Sequence, residues 1–145
     1  MRKLSVIASA MPVLVATALF GAPAQAADRF AVELSDVQGL DTGTGTFTSN
    51  IPGCETGEST TIRAMAQFPR GTGVFRGTRV FECDSGIGSV TVNLSARFGD
   101  GGSVGTWSIA SGSGAFAGVH GAGKLVGVPH PDGIQDNYTG TVTIT

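Results

Sequence analysis

"SVTVNLSARF", residues 89–98, decides the fold. Every second residue is apolar: Val90, Val92, Leu94, Ala96 and Phe98 form one unbroken row, with Ser89, Thr91, Asn93, Ser95 and Arg97 opposite. A period of two is the signature of a β-strand with one dry face and one wet face. On a helix the same residues would be scattered around the whole circumference.

The pattern repeats on both sides. "FAVEL" (30–34) aligns Phe30, Val32 and Leu34, and "GTGTFTSN" (43–50) alternates threonine with glycine or Phe47. "TTIRAMAQF" (60–68) sets Ile62, Ala64, Ala66 and Phe68 opposite Arg63, Met65 and Gln67. "VFRGTRVFEC" (74–83), "GTWSIA" (105–110), "GKLVGV" (123–128) and "YTGTVTIT" (138–145) complete the set. Between them lie turn-forming segments: "GDGG" (99–102) reads as a hairpin whose Asp-Gly supplies the positive φ, "DSGIG" (84–88) as a second hairpin, and "VPHPDGIQD" (128–136) as a longer loop. No segment after residue 26 sustains a helical period. Roughly eight strands in one small domain can hide their edges by closing into an antiparallel β-barrel, with a two-sheet β-sandwich as the alternative all-β arrangement.

Residues 1–26 read as a signal peptide. Arg2 and Lys3 precede an apolar run, and Ala24-Gln25-Ala26 gives the small-x-small cleavage pattern. Residues 27–145 then form a single domain that is exported and secreted, with no membrane span after cleavage. Without Arg2 and Lys3, seven of the nine basic residues remain against eleven acidic ones. This balance argues against nucleic acid as a partner. Cys54 and Cys83 are the two cysteines, and in an exported chain they are expected to form one disulfide.

The chemical motifs are lures. Gly118 to Lys124 lacks only a terminal hydroxyl residue to match a phosphate-binding loop, but Leu125 follows, and Gly127, Pro129 and Pro131 forbid the helix the motif needs. "GGSVG" (101–105) fits a serine-hydrolase elbow, yet it lies between two strands rather than before a helix. His120 and His130 are read as solvent-exposed loop residues with no ligand cluster around them, so neither metal nor cofactor is expected. Arg79 is different. Alternation puts it on the face that carries Phe75, Gly77, Phe81 and Cys83. A guanidinium among apolar groups needs an anion or several acceptors. Either it anchors a ligand, or it pairs with Glu33, Glu82 or Asp136, or a bulge at Gly77 turns it outward.

The segment "WSIASGSGAFAGVHGAGKLVG" (107–127) resembles the C-terminal signature of the allene oxide cyclase-like and dirigent-like barrels, with Gly112, Gly114, Phe116, Gly118 and Gly121 in the shared positions. Exported bacterial chains of the same glycine-rich pattern are more similar still. The resemblance implies an eight-stranded barrel with an apolar lumen, often trimeric, and a barrel turn on Gly112 and Gly114 with Phe116 as a plug. It also implies apolar small-molecule substrates, without carrying any catalytic residue onto this chain. Binding of an apolar small molecule or surface component is thus expected, in a site lined by Phe75, Phe81, Trp107 and Tyr138 with Arg79 as anchor. A structural or interaction protein with a threonine-rich outer face, and a cyclase- or dirigent-like enzyme that steers a reactive intermediate, are the alternatives.

Overall fold

The computed structural model describes residues 28–68 and 72–145, so the signal segment lies outside the described residues. Eight strands follow one another: β1 (Asp28–Gln38), β2 (Thr44–Ser49), β3 (Thr56–Gln67), β4 (Gly73–Cys83), β5 (Gly88–Gly99), β6 (Gly102–Gly114), β7 (His120–His130) and β8 (Gly133–Ile144). Each pairs antiparallel with the next, and β8 returns to β1, so the sheet closes and leaves no edge. The expected barrel is therefore the fold, and the sandwich is not.

The row that opened the reading faces inward. Val92, Leu94 and Ala96 are buried, and Val90 packs against the core. On β4 the inward set is Phe75, Gly77, Arg79, Phe81 and Cys83, with no bulge at Gly77. The bulge sits across the ladder instead. Thr61 pairs with Arg79 but Arg63 with Thr78, so Ile62 is the extra residue. That insertion reverses the alternation of β3. Thr61, Ala64 and Ala66 line the lumen, whereas Ile62, which was expected to share the face of Ala64, is exposed, as is Phe68.

Two turns also differ from expectation. Residues 128–136 do not form a long loop: β7 continues to His130, β8 starts at Gly133, and Pro129 pairs with Ile134 inside the ladder. The histidines accordingly stand at the two ends of β7 rather than in loops. In the β5–β6 hairpin the positive φ falls on Gly102, at 121°, one residue beyond the Asp-Gly pair.

The barrel has two unlike ends. At one, the β6–β7 turn folds on Gly114 (φ 61°) and Gly118 (φ 78°) and drives Phe116 into the interior. The same end carries the Cys54–Cys83 disulfide, which ties the β2–β3 connection to the end of β4. The other end gathers the β1–β2, β5–β6 and β7–β8 connections, and no described residue plugs it as Phe116 plugs the first.

The disulfide closes a sequence separation of 29 residues. Replacing both cysteines by alanine is expected to lower the unfolding free energy by roughly 3–4 kcal/mol, mainly through a less restricted unfolded chain. Urea titration of the variant and the parent measures the difference; equal midpoints would refute it.

Candidate functional site

Inward residues differ along the barrel axis. Toward the open end Ala64, Ala66, Gly77 and Ala96 stand among larger side chains; toward the closed end Phe47, Phe81, Trp107, Tyr138 and Phe116 pack together. An eight-stranded barrel is just wide enough for side chains to fill it or for one small ligand to be held. Here side chains fill the closed half and leave space in the open half. The open half encloses a cavity of about 540 Å³ walled by Phe75, Leu94, Ala96, Phe98, Leu125 and Ile134. The closed half keeps only about 50 Å³ of space. There Phe81 meets Phe47 and Tyr138 edge-on, each at 5.4 Å between ring centroids, and Tyr138 meets Trp107 at 6.3 Å. The indole N–H of Trp107 donates to the carbonyls of Lys124 and Thr139, both at 3.1 Å.

A polar layer separates the halves. Arg79 is 1% exposed and Asp36 is fully buried. Arg79 Nε donates to Asp36 Oδ2 at 2.6 Å. Its Nη1 donates to Gln38 Oε1 and Thr61 Oγ1, and its Nη2 to Ser59 Oγ at 2.7 Å. Ser59 in turn donates to Asp36 Oδ1 at 2.6 Å, which closes a ring of arginine, serine and carboxylate. Gln38 passes the chain on, donating through Nε2 to Asp136 Oδ2. One guanidinium from β4 is thereby held by β1 and β3, and linked through β1 to β8.

Among the expected partners of Arg79, Glu33 and Glu82 are exposed on the outside, and Asp136 reaches it only through Gln38. The direct partner is Asp36, because β1 runs four residues past Leu34 and carries its inward row Phe30, Val32, Leu34 into Asp36 and Gln38. The five residues expected to line one site are divided by this layer. Phe75 and Arg79 border the open cavity, whereas Phe81, Trp107 and Tyr138 belong to the closed core.

The layer holds two carboxylates for one guanidinium. Burial pushes the carboxyl of Asp136 up to about 6; repulsion from Asp36 adds to this, while Arg79 and the Gln38 amide oppose it. Burial also raises Asp36, against the attraction of Arg79 and the Ser59 hydroxyl. Tyr138 lies just beneath, its phenol raised well above the ordinary range by burial and then by Asp136 and Asp36. Its hydroxyl is buried and has no hydrogen-bond partner among the described residues. Among the described residues no cluster of metal-ligating side chains occurs. The chain matches no protein-family model, and it matches no curated protein.

Two outcomes follow for the layer. Arg79→Met should destabilise the barrel by about 3–5 kcal/mol, because Asp36 is then a buried charge without a counter-ion, and Arg79→Met/Asp36→Leu should recover much of that loss. Chemical unfolding of both variants checks it, and a double variant no better than the single one would contradict the ion-pair account. The second outcome concerns pH. Asp136 binds its proton more tightly in the folded than in the unfolded chain, so between the ordinary value of 3.8 and about 6 the folded state holds more protons. Stability drawn from this group therefore falls as pH rises through that window. Asp136→Asn should gain Tm relative to the parent on going from about pH 4 to about pH 8, because the amide has no charge to bury. A Tm difference that does not change with pH would refute the shift.

Proposed function

We propose that the chain is a secreted binding protein that holds an apolar small molecule in the open half of its barrel. The observation that carries this reading is the cavity of about 540 Å³, which opens at one end and is walled mainly by aliphatic and aromatic side chains above a polar floor. Ligand sites of drug-sized molecules occupy about 300–1,000 Å³ and combine apolar walls with a few placed polar groups. Secretion is supported by the signal-like residues 1–26 and by a disulfide, which persists in oxidising surroundings. The resemblance of residues 107–127 to the allene oxide cyclase-like barrels agrees in kind, since those proteins handle apolar small molecules. Arg79 enters the reading as the support of the floor rather than as an anion anchor, because four of its N–H donors are already engaged.

The test uses a neutral apolar dye, Nile red, whose emission rises on leaving water. Binding to the parent protein is expected, with one site per barrel. Ala66→Trp projects a large side chain into the cavity from β3, opposite Phe75, and should weaken dye binding about tenfold or more with little change in Tm. Absence of dye binding to the parent, or undiminished binding to the variant, would remove the reading.

A further inference from the structure

The floor of the cavity has a preference of sign. The guanidinium of Arg79 is turned to Asp36, Gln38, Thr61 and Ser59, and the amide of Gln38 is used at both ends by Arg79 and Asp136. What remains free are acceptors. Asp136 Oδ2 takes the Gln38 N–H, while Asp136 Oδ1 and the Ser103 Oγ have no protein partner among the described residues, and both residues line the cavity. The two oxygens border a single point: a Cβ on Gly127 would collide with both of them. Gly127, which pairs with Ser103 on β6 and with Asp136 on β8, thus lets both oxygens close over its Cα, side by side at the cavity wall. The charged residues lining the cavity are Arg79, Asp136 and Asp100, and Asp36 lies directly beneath. Among the described residues, one cation stands against three carboxylates.

Building on the cavity reading, we infer that the ligand is an amphiphile with an apolar body and a cationic amine head, and that the ammonium is seated on the cavity side of Asp136 Oδ1 and Ser103 Oγ. An ammonium supplies donors to both oxygens and offsets the unbalanced carboxylate. An alcohol of the same body supplies one donor and no charge, so it binds less tightly. A carboxylate brings a fourth negative charge and no donor, and the occupied guanidinium offers it nothing without breaking the floor apart.

The experiment is displacement of Nile red at about pH 8 by three probes of one chain length, an alkylamine, an alkanol and a fatty acid, with the amine still protonated at that pH. The amine is expected to displace the dye at about one tenth the concentration of the alcohol or less, with the fatty acid weakest. Asp136→Asn should remove the advantage of the amine and leave the alcohol nearly unchanged. Gly127→Ala pushes both oxygens off their positions and should likewise reduce the advantage of the amine over the alcohol. Equal displacement by all three heads, or a preference for the fatty acid, overturns the inference and leaves the cavity reading standing. An amine preference that survives both substitutions overturns the placement at Asp136. Failure of the dye and of every probe to bind takes the cavity reading down as well.

Discussion

A guanidinium buried at mid-barrel governs this structure. Arginine keeps its charge at every accessible pH, so the interior must answer it with acceptors or exclude it. The answer comes from strands that are not neighbours: Asp36 and Gln38 on β1, Ser59 and Thr61 on β3, with β2 between them contributing no side chain at that level. Gly45 is the reason β2 can stand aside. A Cβ there would lie 2.9 Å from Ser59 Oγ and 3.0 Å from Asp36 Oδ1, inside the space the ion pair needs. The bulge at Ile62 serves the same end, since it lets Thr61 face Arg79 while Ala64 and Ala66 still face the lumen above.

A buried ion pair is weak evidence for stability, because well-packed apolar residues of similar volume often do as well. Its consequence here is positional. Below the layer, aromatic side chains meet edge-on and Phe116 closes the end, in a half stapled by the disulfide. Above it, Ala64, Ala66, Gly77 and Ala96 bring only methyl groups or hydrogen between Phe75, Leu94, Phe98, Leu125 and Ile134, and a cavity of about 540 Å³ remains. Packing at native density ends at the layer. The closed half supplies the rigidity that lets the open half remain unfilled without collapse.

Much of this was legible as period and composition. Strict alternation over 89–98 and 74–83 placed both strands and turned Arg79 inward. The resemblance of 107–127 implied a turn on Gly112 and Gly114 plugged by Phe116; the turn lies instead on Gly114 and Gly118, with Gly112 still paired inside β6. What escaped was governed by pairing across the barrel. "SDVQ" after Leu34 has the composition of a turn, and only the ladder with β8, from Asp28 to Gln38, shows it to be strand. The bulge at Ile62 carries no local signal, because Ile is an ordinary strand residue and the insertion is defined by the register of β4 opposite. Likewise, the split of Phe75 from Phe81 depends on how deep each sits. Alternation reports the face of a residue, not its height along the axis.

The balance of charge separates a filled core from a floor. A layer built only to join strands would match each buried carboxylate with a cation, as Arg79 matches Asp36. Asp136 is the exception: it is 5% exposed, receives one amide hydrogen bond, and turns its second oxygen toward the cavity beside an equally unengaged serine. A buried, half-satisfied carboxylate is costly unless a proton or a donor meets it. The proton is the solution available to the protein alone, and it is the physical cause of the upward shift toward about 6. Any partner that offers a donor at that oxygen competes with the proton. The same imbalance that makes the buried carboxylate costly is therefore what leaves its second oxygen able to accept from another donor.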